Sequence, residues 1–404
     1  MTALTSYVAS APSTQDALDA LMGQAAGCPD PQLVFVFYGC GHDDALLHQR
    51  LRERFAQAGL IGGTSSGGVL SRQGFGGSES IGLLCLSDPD GDYGVAAGPL
   101  GEDAAEGAEA LLHEALRVAG APGELPELIW IYQAPGREEQ VLRGLRRVVG
   151  DRCPVIGGSS ADDDISGRWR QLGPQGPLTD GLVVAVLLPS TPVGFAFQGG
   201  YEPAGPSGIV TGIGPLPAAA GADDASGREI VSIDDEPAAA VYNRWTAGCI
   251  DAHLDGGTVL AETTMHPLAT LAGQADGVSQ FLLVHPLAVT DQGALRTFCD
   301  LQAGERVYAM RGDRQRLIER AGKVVAQARA ALPDPSAPLA GVLLVYCSGC
   351  KTAVGPQIGE VAQAVARSLD AVPFLSCFTF GEQGYLIGRN VHGNLMISAL
   401  VFAR

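Results

Sequence analysis

The stretch LVFVFYGCGHDDALLHQRLRERFAQAGLIGGTSSGG, residues 33–68, decides the fold, because its pattern returns without a gap in LIWIYQAPGREEQVLRGLRRVVGDRCPVIGGSSADD, residues 128–163. At this offset of 95 residues Leu33 matches Leu128, Gly41 matches Gly136, Leu47 matches Leu142 and Arg52 matches Arg147. Ile61-Gly62-Gly63 likewise matches Ile156-Gly157-Gly158. A short apolar run reads as a buried strand. A polar turn follows, then an amphipathic helix with Leu46, Leu47, Leu51 and Phe55 at helical spacing. A second strand enters the Gly-Gly turn, and a closing apolar strand comes next, SIGLLCL from Ser80 and GLVVAVLL from Gly181.

A weaker third copy lies at 341–404: GVLLVYCSGC from Gly341, a helix from Ile358 to Leu369, PFLSCFTFGEQG from Pro373 and NLMISALVF from Asn394. Repeats of this size are whole supersecondary units, too long for a solenoid. Between copies, Gly199 to Gly227 is rich in Gly, Pro and Ala and suits a domain connection or exposed loops. A new helix is expected near Pro237, behind the acidic Asp234, Asp235 and Glu236. The expected fold is α/β, with mixed sheets built from repeated strand-helix-hairpin units in two domains. The first domain covers 1–225, with copies near 33–98 and 128–190; the second covers 226–404.

With 404 residues, 46% of them hydrophobic and 17% charged, the chain has ample material for two cores. A formal net charge of −18 repels phosphate backbones and anionic lipid, so no nucleic-acid or membrane role is expected. The N-terminus carries no signal-peptide pattern, and the longest apolar run, Leu182 to Pro189, is too short to span a bilayer. A cytoplasmic location follows, with the nine cysteines mostly reduced.

The Gly-Gly-Thr-Ser-Ser loop at Gly62, the Gly-Gly-Ser-Ser loop at Gly157, DDEPAAAVYNRW at Asp234, HPLA at His266, and GEQG with HGNL near the C-terminus resemble the FIST family (F-box and intracellular signal transduction). The resemblance covers nearly the whole chain. It implies an N-terminal and a C-terminal FIST domain forming a bacterial sensory module for small ligands, working with histidine kinases or chemoreceptors. TTMHPLA, FLLVHPLAV, YCSGC and FTFGEQG are also similar to the NosP-type nitric-oxide-sensing haemoproteins, stand-alone FIST proteins that bind haem through histidine.

Under that resemblance His266 and His285, each in His-Pro-Leu-Ala, are the candidate axial ligands of haem b, with His266 the first choice. The bland alternative is a strand-end histidine bonded to a backbone carbonyl. His392 is a weaker candidate, and His42, His48, His113 and His253 read as surface residues. Cys347 and Cys350, with Cys377 on a neighbouring strand, can be read as a zinc or redox cluster, or as buried inert thiols. Ser65 and Ser159 are placed to line a ligand pocket, although their glycines also suit close backbone packing; Glu382 either binds a polar ligand group or caps a turn. The Asp162–Asp164 triplet reads as a solvated loop.

Three functions compete. The first is a haem-based sensor of nitric oxide, a diatomic gas, that regulates a histidine kinase encoded elsewhere, because the chain carries no output segment of its own. The second is a haem-free sensor of a small organic metabolite such as an amino acid. The third is a thiol enzyme using Cys347; it ranks last because no hydrolase spacing or phosphate loop is present. A homo-oligomer is compatible with any of them.

Overall fold

The computed structural model describes residues 1–214 and 226–404. The fold is mixed α/β in two domains, with several mixed sheets. Each copy is longer than its sequence match. It opens with a lead strand (Ala3–Ser10, Asp92–Pro99, Val193–Gly199) that pairs antiparallel with the copy's own closing strand (Ser80–Ser87, Gly181–Leu188, Met396–Ala403). Next to the closing strand lies the first apolar strand (Leu33–Tyr38, Leu128–Gln133, Leu339–Cys347). The second strand (Gly59–Thr64, Val155–Ser159, Phe374–Thr379) runs parallel to it, as a helical crossover requires.

The hairpins are exchanged. The hairpin of copy two (Gln171–Gly173, Gly176–Leu178) extends the sheet of copy one, with Gln171 opposite Gly63. That of copy three (Glu382–Leu386, Arg389–Gly393) extends copy two, with Glu382 opposite Gly158. That of copy one (Val69–Ser71, Gly74–Phe75) extends copy three, with Ser71 opposite Leu375. Three six-stranded sheets result, each finished by a neighbour.

The inner faces of the three sheets share one core. Phe35 meets Trp130 edge-on at 5.7 Å and Phe37 meets Tyr132 at 5.3 Å, with Leu343, Val345, Leu400 and Phe402 closing the third side. Strand alternation sends Val34 and Val36, Ile129 and Ile131, and Leu344 and Tyr346 outward under the helices. Each fully buried side chain of this size is worth roughly 1.5–3 kcal/mol. The Gly-Gly pairs permit the close approach of the strands. A Cβ on Gly62 would sit 1.8 Å from the Val36 carbonyl oxygen, and one on Gly157 would sit 1.9 Å from that of Ile131.

A nine-stranded sheet, running from Glu202–Ile213 to Arg306–Arg311, is inserted between the lead strand of copy three and its helix Arg314–Ala330. The stretch expected to be loops or a connection therefore contains the 12-residue strand Glu202–Ile213. Its proline and glycine are tolerated because pairing with Arg306–Arg311 is irregular between Pro203 and Ser207. Residues 215–225 of that stretch lie outside the described residues. The helix expected near Pro237 is Ala238–Trp245. Among the described residues no helix is long and apolar enough to cross a membrane.

Candidate functional site

The turns that follow the strands converge on a cavity of about 450 Å³, at the seam between the three-copy body and the inserted sheet. Copy one contributes Ser66, copy two Asp163, Asp164 and Ile165, and copy three Cys347, Lys351 and Phe380. The inserted domain adds Leu260, Glu262, Thr264, His285 and Phe298. The site thus has an apolar side of isoleucine, leucine and phenylalanine, and a polar side where one ammonium faces several carboxylates.

Lys351 lies in the short helix Ser348–Val354 and reaches across to copy one. Its Nζ donates to the Ser66 carbonyl at 2.9 Å and to Ser66 Oγ at 3.2 Å, and it lies 5.4 Å from the Phe378 ring centroid. Burial pulls its pKa below the usual lysine range, while Asp163 opposes that shift. Asp163 is held in turn: Gly67 N–H donates to it at 2.5 Å and Ser78 Oγ at 3.0 Å. Asp162 departs from the solvated reading. It is fully buried and accepts from the amides of Ile165 at 2.6 Å and Arg168 at 2.8 Å, which shapes the loop that carries Asp163 to the cavity.

His285 is buried on the cavity wall, its ring 5.9 Å from that of Phe298. Burial, partly offset by a hydrogen bond to the Leu260 backbone, pulls its pKa down to about 4, so the imidazole is neutral. Its Nε2 lies 3.4 Å from Thr264 Oγ1, whose own proton goes to the Leu260 carbonyl at 2.6 Å. The imidazole is therefore the donor in that pair.

Of the other sequence candidates, Cys347 also lines this cavity and the rest lie elsewhere. His266 is half-buried beside Arg311, and it is its backbone carbonyl that accepts from Tyr242 OH at 2.6 Å; it is not among the residues lining this cavity. Ser65 accepts from Phe378 N–H at 2.8 Å and Ser159 donates to Glu138 at 2.7 Å, so both tie one copy to another element. Glu382 is fully buried, with Thr379 Oγ1 donating at 2.7 Å and Met396 N–H at 3.0 Å; burial pushes its pKa well up. Cys347 and Cys350 are neighbours in the outer core of copy three, where burial raises the Cys347 thiol strongly. Cys377 packs in the central core with Sγ 3.9 Å from the Leu344 carbonyl, and the three thiols form no ligand set among the described residues. His42, read as exposed, is buried with Nδ1 3.2 Å from Thr14 Oγ1.

Sequence reasoning missed Lys351, which directly follows the Cys347–Cys350 motif. It also missed a second constellation at a larger cavity of about 790 Å³. There Arg228 meets Glu138 and Glu139 at 2.7 Å each and Asp300 at 2.8 Å, and His392 Nδ1 lies 2.7 Å from Glu139 Oε1. The HGNL motif marked His392, but its partners lie 92 to 254 positions away in the chain, beyond any local pattern.

Among solved structures, a cyanuric acid hydrolase from A. caulinodans is 11% identical, with a TM-score of 0.37 over 100% of this chain and 99% of that one. A chorismatase is 10% identical, with a TM-score of 0.36 over 99% and 98%. PurLQS from Thermotoga maritima is 8% identical, with a TM-score of 0.24 over 78% and 72%. No curated protein matches. The FIST N domain matches residues 32–236 and the FIST C domain residues 238–385. With these matches spanning most of its length, the chain belongs to the FIST family, whose domains are in general sensory ligand-binding domains of signal transduction.

Proposed function

We propose that this protein is a cytoplasmic sensor of a small zwitterionic metabolite of amino-acid type, bound in the seam cavity and read by a separate histidine kinase. The observation that carries this reading is that Lys351 and Asp163 line one cavity together with an apolar wall. Two of the three Lys351 N–H donors go to Ser66, which leaves the third for a ligand carboxylate. The carboxylates of Asp163 and Glu262 suit an ammonium group, and Ile165, Leu260 and Phe298 suit an aliphatic or aromatic side chain. Binding would clamp all three copies to the inserted sheet, a change of state that a partner can read. Binding without turnover is favoured over thiol catalysis because the raised pKa of Cys347 keeps it a thiol, not the attacking thiolate.

A haem-centred reading rests on His285, a neutral imidazole on the cavity wall. Haem would supply an iron site for a diatomic gas, and His285 would be the axial ligand. The fit is partial: the His285 ring already bonds within the protein, and Asp163, Asp164 and Glu262 share the cavity with a cofactor that carries carboxylates of its own. One pair of measurements separates the readings. A thermal-shift screen of amino acids on wild type, Lys351→Met and Asp163→Asn should give a hit that both variants lose. A haem-supplied preparation should give no Soret band. A band that moves with nitric oxide and disappears in His285→Ala would replace the metabolite reading with the haem one.

A further inference from the structure

At the larger cavity, Glu139, Cys299 and His392 come from three different parts of the fold. Glu139 lies in the first turn of the copy-two helix Glu138–Val149, Cys299 on the inserted strand Leu295–Gln302, and His392 on the exchanged strand Arg389–Gly393. One donor atom from each lies within 4.8 Å of the other two, and all three residues line the cavity of about 790 Å³. We propose that they form a zinc site, with three protein ligands and a fourth position open to that cavity.

The donor set of carboxylate, thiolate and imidazole suits zinc, and three ligands with an open position is the arrangement of reactive rather than purely structural zinc. Cys299 and His392 are buried, so two of the three donors are already withdrawn from water. The contact of Nδ1 with Glu139 Oε1 at 2.7 Å holds a proton where a cation can bridge the same two atoms. Glu138, Glu139 and Asp300 outnumber the Arg228 guanidinium that they surround, while Arg143 and Arg146 also line the cavity. The Asp300 amide donates to Glu139 Oε1 at 3.1 Å and holds that carboxylate in place, while the Cys299 thiol donates to Asn394 Oδ1 at 2.8 Å, a bond given up when the thiol proton leaves. Binding divalent zinc here releases the thiol proton of Cys299 and the proton shared between His392 and Glu139.

The test uses the full chain, stripped with EDTA and titrated with Zn²⁺ against a chromophoric chelator, then with Co²⁺ in the near ultraviolet. Wild type should take up zinc and show a thiolate-to-cobalt band. Cys299→Ser should lose that band, Glu139→Gln should weaken zinc by at least ~10-fold, and Cys28→Ser, in the copy-one core, should change neither. A band retained in Cys299→Ser, or no zinc uptake by wild type, overturns the proposal. Circular dichroism monitors folding, and Glu139→Gln, which keeps its hydrogen bond to His392, decides alone if Cys299→Ser does not fold. Unchanged zinc affinity in Glu139→Gln then counts against the site.

Discussion

Lys351 donates to the carbonyl of Ser66, 285 positions earlier in the chain, and so joins copy three to copy one beneath the seam cavity. If this ammonium is the anchor for a ligand carboxylate, Lys351→Met should lose ligand-induced stabilisation. Wild type at 100 times Kd gains ~2.7 kcal/mol from a bound ligand. The variant should gain close to none, read by thermal or chemical unfolding with and without the screened metabolite.

His285 sets an acid limit. Its folded pKa of about 4 lies below the ordinary histidine value of 6.5, so between these values the unfolded chain binds the extra proton. Stability should therefore fall as pH drops from 6.5 to about 4, by roughly 3 kcal/mol at 1.36 kcal/mol per unit. His392, whose pKa is raised, contributes with the opposite sign near the top of this window, and comparison with His285→Gln cancels it. Urea midpoints of wild type and His285→Gln across pH 4–7 should converge at the acid end.

Arg228 neutralises three carboxylates from two domains. Arg228→Met should destabilise the fold by ~3 kcal/mol, since it strands Glu138 and Glu139 as buried charge. Equilibrium unfolding measures the loss, and adding Glu139→Gln should recover part of it. A loss under 1 kcal/mol would mean that water already screens the cluster.

Gly62→Ala should cost more than ~3 kcal/mol, because its φ is +153° and the new methyl would meet the Val36 carbonyl at 1.8 Å. Gly74, also at positive φ but with open space around it, should tolerate alanine far better. Parallel denaturation of the two variants checks the contrast.

Cys28 is buried, but its hydrogen bond with Cys85, helped by Tyr7 and Arg54, draws its pKa down to about 6, so local opening of its core should release the most nucleophilic thiol near neutrality. Cys347 and Cys377, raised by burial, should label only after unfolding. Mass-spectrometric mapping of iodoacetamide adducts at pH 7, native against urea-unfolded, separates the two groups.

The strand-helix-strand cores were legible because the apolar runs at Leu33, Leu128 and Gly341 and the helices after them are local patterns. The lead strands were not: Asp92–Pro99 carries small residues and little alternation, and Val193–Gly199, although Val193, Phe195 and Phe197 alternate, is cut off from its copy by the inserted sheet. The site was legible only in part. The His-Pro motif marked His285, but not which of the two histidines would face a cavity. The neighbouring cysteines drew attention from Lys351. Cys377 was placed beside Cys347 by sequence alignment, yet the side-chain contacts put it in a different core. Asp300 and Arg228 acquire meaning only from charges brought to them by the fold.

The cyclic loan of hairpins has a consequence for how the protein can be cut. A fragment ending after copy two would leave the Phe374–Thr379 partner of Val69–Ser71 missing, and one lacking copy three would bare the edge of Val155–Ser159. Exposed strand edges recruit other chains. Truncated versions should therefore pair with one another or precipitate, and any working dissection must keep the three links of the ring in one polypeptide.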